Sequence, residues 1–320
     1  MNTKRKPASI IATIIFAGLL ATTLITAKSG LFPVNQTSSA QQEETALKQY
    51  GFYLEPVNKE ANIVFRHVSP DIDPKLKHIE PMLATIDSSD KICDLNNDSC
   101  NDIYFTNSHA GSMNALYHNL HNGKFEDIAL EAGVGDVNKK GTGVSMGAVW
   151  GDFDNDGFDD LLLYKWGRPE LFKNIGGKKF ENVTAGSGLP QWVNANSAIW
   201  FDFDNDGLLD IFIGGYYKET LNLDSLATTD IMPESFRYAN NGGRKYLLKN
   251  LGGGRFEDVT KEYGLTSTKW ALAAGAADFN GDHYPELFIA NDYNVDEFYI
   301  NEGGKKFVER GSHASVGRIP

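Results

Sequence analysis

The sequence predicts an all-β protein made of repeated four-stranded blades, the plan of a β-propeller. Three observations carry this. Short apolar runs rich in Phe, Ile, Leu, Val and Tyr alternate with Asn-Gly, Gly-Gly and Asp-Gly punctuation along most of the chain, which is strand-and-turn patterning. One acidic stretch, GDFDNDGFDDLLLY at residues 151–164, occurs four times in related forms. Two further phrases follow each copy: LYHNLHNG, LFKNIGG, LLKNLGGG and FYINEGG, then KFEDI, KFENV, RFEDV and KFVER. A strand before the loop, one after it, and these two phrases make four strands per unit, which describes a propeller blade.

The acidic loops come first in the argument because the strands are arranged around them. With Asp152 as position 1, Asp154 is position 3, Asp156 position 5, Gly157 position 6, Phe158 position 7 and Asp160 position 9. Side-chain oxygen at 1, 3, 5 and 9, a backbone carbonyl at 7 and a glycine at the sharp turn make a calcium-loop spacing. The other copies place Asp202, Asp204, Asp206, Leu208 and Asp210; Asp278, Asn280, Asp282, Tyr284 and Glu286; and Asp94, Asn96, Asp98, Cys100 and Asp102 at positions 1, 3, 5, 7 and 9. Every change at a side-chain position keeps an oxygen. Carboxylates this close repel unless a cation sits among them. The expected cofactor is therefore Ca²⁺, up to four ions. The loops are not EF-hands, because position 12 is Phe105, Leu163, Ile213 or Ile289 inside an apolar run instead of a bidentate Glu before a helix.

Charge agrees with this reading. The chain of 320 residues has a formal net charge of -12. Fourteen carboxylates occupy the sixteen side-chain positions of the loops, and without them the remainder carries +2. The acidity is thus concentrated at the loops, and the absence of a basic patch argues against a nucleic-acid partner. A hydrophobic content of 41% is enough for a real core.

In chain order, Lys4, Arg5 and Lys6 precede an uncharged apolar stretch at residues 10–27. Residues 1–27 therefore read as a signal peptide or an N-terminal membrane anchor, the eighteen apolar residues being just long enough to span a bilayer. Either outcome places the body outside the cytoplasm: periplasmic, secreted or membrane-anchored. Residues 28–50 are polar and read as a linker, and residues 51–320 as the repeats. Residues 52–67 look like a degenerate copy of the fourth-strand phrase, ahead of the first full unit.

Cys93 and Cys100 bracket the first loop. In an oxidising compartment a disulfide across it is expected. With no CxxC and no ligand-histidine pattern, the pair does not read as a structural zinc site. Loop-to-loop spacings are 58, 50 and 76 residues, the long one reflecting an insertion at residues 217–244 between the second and third strands of the third unit. Trp150, Trp200 and Trp270 read as recurrent packing residues at the blade junctions.

The repeats resemble the VCBS/FG-GAP repeat, the integrin-α type of calcium-loop blade. More narrowly, VFRH at residues 64–67, DIYFTNS at 102–108 and the NxGGxKFEDVT-like phrases resemble the bacterial cartilage-acidic-protein-like family, whose full-length members often end in an ASPIC/UnbV domain. The resemblance implies an extracytoplasmic calcium-binding propeller with the loop residues above as ligands. Asn96 and Asn280 depart from it by lowering the charge of two loops. Family propellers usually have seven blades and four units are clear here, so the expectation is an open arc, either a truncated gene product or one that a partner completes.

Catalysis needs convergent acid and base groups. The seven histidines are scattered, His118 and His121 do not face each other on the expected strand and turn, and no Ser/His/Asp set, phosphate loop or Cys/His nucleophile pair is evident. The expected function is a binding or scaffold module for a protein or glycan ligand, not an enzyme. The alternative is a propeller enzyme of lyase or dehydratase type acting on polysaccharide.

Overall fold

The structure is a computed structural model that describes residues 39–77, 89–222, 225–226 and 231–311. The leader expected at residues 1–27 lies outside the described residues. No helix among the described residues is long and apolar enough to cross a membrane.

The chain divides at Val57 into two units. In the first, the polar segment expected to be a linker carries a helix, α1 (Ser39–Tyr50). Its Ala, Gln, Glu, Leu and Lys are all good helix formers. Gly51 ends it at φ +79°, donating its N–H to Leu47 O at 3.0 Å, a glycine C-terminal stop.

The second unit, Asn58–Pro320, holds the blades as an open β-propeller array. Blade 1 is β1 (Asp90–Cys93), β2 (Asp102–Phe105), β3 (Ala115–Asn119) and β4 (Phe125–Asp127). Blade 2 is β5 (Gly143–Gly151), β6 (Asp160–Gly167), β7 (Glu170–Asn174) and β8 (Phe180–Asn182). Blade 3 is β9 (Val193–Phe201), β10 (Asp210–Tyr217), β11 (Lys245–Asn250) and β12 (Phe256–Asp258). Blade 4 is β13 (Ala271–Ala277), β14 (Glu286–Asn291), β15 (Glu297–Asn301) and β16 (Phe307–Glu309). Each blade is an antiparallel meander in chain order, and β6 also pairs with β9 through Trp166↔Asn194 and Gly167↔Val193, which merges blades 2 and 3 into one eight-stranded sheet.

Blade faces pack against one another, so the inner blades are buried on both sides. Strand β6 is buried at all eight residues, and so is β10. Leu161 and Leu163 point into the core shared with blade 1, while Leu162 and Tyr164 point into the core shared with blade 3. This explains why residues 161–164 and 211–217 read as apolar runs instead of alternating. A third core joins blades 3 and 4 through Phe203, Phe212, Leu247, Leu287 and Phe307.

The degenerate copy at residues 52–67 forms no strand. Its later part nevertheless reproduces a repeat feature, the turn after a fourth strand. Ile63 N–H donates to Asn58 O at 2.7 Å, as Val134 does to Ala129 at 2.9 Å and Leu265 to Thr260 at 3.0 Å. Ala61 O then receives the N–H of Phe125 at 2.9 Å, just as Ala132, Ser187 and Tyr263 receive those of Phe180, Phe256 and Phe307.

The insertion lies between β10 and β11, as expected. It is partly structural: Leu226, Ile231 and Ala239 are buried in the core with Tyr216, Tyr217 and Trp270, while Phe236 and Tyr238 stand exposed. Trp270 corrects another expectation. Trp150 and Trp200 occupy equivalent places two residues before a loop and sit at blade junctions, against Tyr104 and Phe180 and against Phe153 and Phe256 respectively. Trp270 precedes β13 and lies at the opposite end of the strands, edge-on to Tyr216 and Tyr217.

Candidate metal centres

All four loops fold on their own hydrogen bonds. The position 1 carboxylate accepts the N–H groups of positions 5 and 6. Asp152 holds Asp156 and Gly157 at 3.0 and 2.8 Å, Asp202 holds Asp206 and Gly207 at 3.1 and 2.8 Å, Asp94 holds Asp98 and Ser99 at 3.0 and 2.8 Å, and Asp278 holds Asp282 and His283 at 3.2 and 2.9 Å. The position 5 carboxylate accepts the N–H of position 7, namely Phe158, Leu208, Cys100 and Tyr284. Such tight curling needs positive φ at position 4, supplied by Asn97, Asn155, Asn205 and Gly281, and at position 6, where Gly157 and Gly207 reach 90° and 84°. Asn and Gly are the residues that tolerate this region best.

Position 9 closes each loop. Asp102, Asp160, Asp210 and Glu286 are fully buried. Each accepts the N–H of position 2 in its own loop, that of Leu95, Phe153, Phe203 or Phe279. In the first three loops its second oxygen accepts the N–H of the third-strand asparagine, Asn119, Asn174 or Asn250, at 2.7–2.8 Å. Burial raises Asp160 and Asp210 to about 7, against the opposing pull of these backbone donors.

In loops 2 and 3 the structure gathers carboxylates tightly enough to hold a metal ion. Oxygens of Asp152, Asp154 and Asp160, and of Asp202, Asp204 and Asp206, lie within 4.8 Å of one another. One buried oxygen at position 3 in each, Asp154 Oδ1 and Asp204 Oδ1, has no hydrogen-bond partner among the described residues. An oxygen left so, inside a group of anions, is what a cation ligand looks like without its cation, since buried polar atoms are otherwise nearly always paired. Both sites therefore fit a hard cation. Loop 4 forms no such trio among the described residues, and its Asn280 Nδ2 instead donates to Glu286 Oε1 at 2.8 Å.

Sequence reasoning missed the groups that sit over the loops. Lys173 on β7 pairs with Asp154 and reaches Asp156 at 3.0 Å, and Lys249 on β11 pairs with Asp204 and reaches Asp206 at 3.0 Å. Hydrogen bonds to the two carboxylates hold the Lys173 ammonium well above the usual lysine range. These lysines are the residues before Asn in the LFKN and LLKN phrases. In blade 1 the same place holds His118, whose Nδ1 lies 2.9 Å from Asp102 Oδ1; in blade 4 it holds Ile300.

The asparagines of those phrases are cross-blade ties. Asn174 Nδ2 donates to Leu95 O of the preceding blade at 2.9 Å, Asn250 Nδ2 to Phe153 O at 2.8 Å and Asn301 Nδ2 to Phe203 O at 2.8 Å. Each acceptor is position 2 of the previous loop. At the rim, Asn97 Nδ2 donates to Gly157 O at 2.7 Å and Asn155 Nδ2 to Gly207 O at 3.0 Å, so loops 1, 2 and 3 are linked in series. The recurrence of Asn was the available signal, but its acceptor belongs to another repeat.

The disulfide expected between Cys93 and Cys100 is not formed: both thiols are free. Cys93 ends β1 facing the core, where burial, then the nearby Asp102, pushes its thiol far up. Cys100 turns the other way, its Sγ 3.1 Å from His121 Nδ1.

An open groove of about 560 Å³ runs between blades 2 and 3, lined in part by Asp154, Lys173, Glu181, Ser187, Gly254 and Arg255.

The profile of the FG-GAP-like repeat family matches residues 94–163, 152–213 and 236–289. Cartilage acidic protein 1 of Mus musculus is 38% identical over 71 residues, which is 22% of this chain and 10% of that protein, so the chain aligns with about a tenth of the relative's length. Among solved structures, an Agrocybe aegerita lectin described for recognition of non-reducing terminal N-acetylglucosamine aligns with a TM-score of 0.37 at 14% identity, over 70% of this chain and 52% of the lectin. The V. cholerae biofilm matrix protein Bap1 aligns with a TM-score of 0.35 at 13% identity, over 69% of this chain and 30% of Bap1.

Proposed function

This chain belongs to the FG-GAP-like repeat family, and from that premise we propose that it is a calcium-stabilised binding or scaffold module acting outside the cytoplasm. The observation that carries the reading is the pair of buried, unpartnered carboxylate oxygens, Asp154 Oδ1 and Asp204 Oδ1, inside the acidic loops of blades 2 and 3. Calcium would be held by Asp152, Asp154, Asp156 and Asp160 and by Asp202, Asp204, Asp206 and Asp210, with the Phe158 and Leu208 carbonyls, a donor set of hard oxygens suited to that ion. The blade 4 loop, with Asp278, Asn280, Asp282, Tyr284 and Glu286, is a weaker third site.

Bound calcium supplies charge neutralisation. The chain's own residues do the rest. Asp160 and Asp210 fasten loop to strand, Asn174, Asn250 and Asn301 fasten blade to blade, and the loops link along one rim, so an ion at one loop stiffens the array. The protein or glycan ligand meets this rigid surface, with binding and not turnover as the activity. Weak sites of about 10⁻⁴ to 10⁻³ M suit an extracellular calcium concentration.

The test is calorimetric titration of Ca²⁺ into EGTA-stripped protein, with glycan-array and pull-down binding in Ca²⁺ and in EGTA. At least two equivalents of calcium and EGTA-sensitive ligand capture are expected. Absence of calcium uptake overturns the reading, and so does turnover of a polysaccharide.

A further inference from the structure

Blade 1 departs from the repeat at two places far apart in sequence, and the fold brings them together. At position 7 of its loop stands Cys100, where the other loops have Phe158, Leu208 and Tyr284. In the turn after the third strand stands His121, where the other blades have Gly176, Gly252 and Gly303. His121 keeps the glycine-type backbone, with φ 60° against 62°, 75° and 63°. That conformation sets the imidazole over the loop: Nδ1 lies 3.1 Å from Cys100 Sγ and Nε2 lies 2.9 Å from Asp98 Oδ2. Ligand atoms of Asp98, Cys100 and His121 all lie within 4.8 Å of one another.

We propose that this cluster binds one thiophilic divalent cation of the zinc class through Asp98, Cys100 Sγ and His121. A thiolate, an imidazole and a carboxylate form a borderline-soft donor set, which favours zinc-class ions over calcium. Each of the three is partly exposed, so the ion enters from solvent without opening the core. Binding replaces the Sγ to imidazole contact with a shared metal, and the Cys100 thiol proton leaves to solvent. Three protein ligands leave a fourth position for water or a donor from a partner. The histidine is what sequence reading lacked: it lies 21 residues from Cys100, outside any local zinc spacing.

Loop 1 also lacks what makes loops 2 and 3 hard-cation sites. Position 3 is Asn96, and the trio gathered by the fold is not the oxygen set of positions 1, 3, 5 and 9. The assignment stands whether or not the other loops bind calcium.

Cobalt is the probe. Reduced full-length protein is titrated with Co²⁺ in excess Ca²⁺. One equivalent is expected to give the near-ultraviolet thiolate-to-cobalt charge-transfer band, bleached by added Zn²⁺. Cys100→Ser and His121→Gly should each abolish the band. His121→Gly restores the residue found in the other three blades, so its melting temperature in EDTA should equal or exceed that of the parent, separating loss of metal from loss of fold. A missing band in the parent protein overturns the proposal. So does a band that survives either substitution, or one that excess Ca²⁺ removes.

Discussion

The loops of blades 2 and 3 and the loop of blade 1 share one backbone and differ in what leans over it. In all three, position 1 gathers the same two N–H groups at nearly the same distances, and the buried position 9 carboxylate accepts the same two backbone donors. Over loops 2 and 3 stand Lys173 and Lys249, each within reach of two carboxylates. Over loop 1 stand His118 and His121, and a cysteine replaces the apolar residue at position 7. The shape of a loop is thus set by its own short-range hydrogen bonds, whereas the lysine or histidine that leans over it comes from the third strand and the turn that follows.

Removing calcium should break the comparison most. Two sites occupied at a hundredfold excess over Kd contribute about 5 kcal/mol together, so EGTA should lower the melting temperature by about 10 °C or more in a unit of this size. Differential scanning calorimetry with and without Ca²⁺ measures this. In Asp154→Asn/Asp204→Asn protein the calcium-dependent part of the shift should shrink to a minor fraction.

The cross-blade ties come next. Asn250→Ala strips hydrogen bonds from the carbonyls of Phe153 and Leu209 and from the Gly252 N–H, and unpaired buried groups of this kind cost about 3 kcal/mol in sum. Asn119→Ala in blade 1 loses only the Asn101 carbonyl contact and the bond to the exposed His121 N–H, costing about 1 kcal/mol or less. Urea denaturation of the two variants should show that gap; equal losses would mean the ties carry no special weight.

Lys249 sharpens the picture further. If its ammonium competes with the ion for Asp204 and Asp206, Lys249→Met should raise calcium affinity at loop 3 by about tenfold, the equivalent of 1.4 kcal/mol, while lowering stability in EGTA. An affinity that falls instead would show that the lysine supports the bound state.

A further test concerns pH. Asp160 and Asp210, held up to about 7 by burial, bind protons more tightly in the folded protein than in the unfolded chain. Metal-free stability should therefore decline as pH rises from about 4 to about 7 and then level off. With calcium bound, the carboxylates are stabilised as anions and the decline should vanish. Melting curves across this range in EGTA and in Ca²⁺ check the sign.

Much of this was legible in the chain itself. The all-β class and the loop positions follow from patterns within about ten residues, because strand alternation and loop curling depend on neighbours in sequence, and the four blades and the insertion follow from the recurrence of those patterns at spacings of 58, 50 and 76 residues. The misses share a cause of the opposite kind. Cys93 and Cys100 are close in sequence, yet one faces the core and the other faces His121. Trp270 looks like Trp150 and Trp200 in composition but sits at the other end of its blade. The roles of Lys173, Lys249, Asn174 and Asn250 depend on a loop reached only after the meander folds back, or on the blade before. Local hydrogen bonding and apolar patterning determined where each loop and strand would be. Which side chains finally stand over a loop was decided by strand pairing and blade stacking, which bring together residues whose separation along the chain hides their contact.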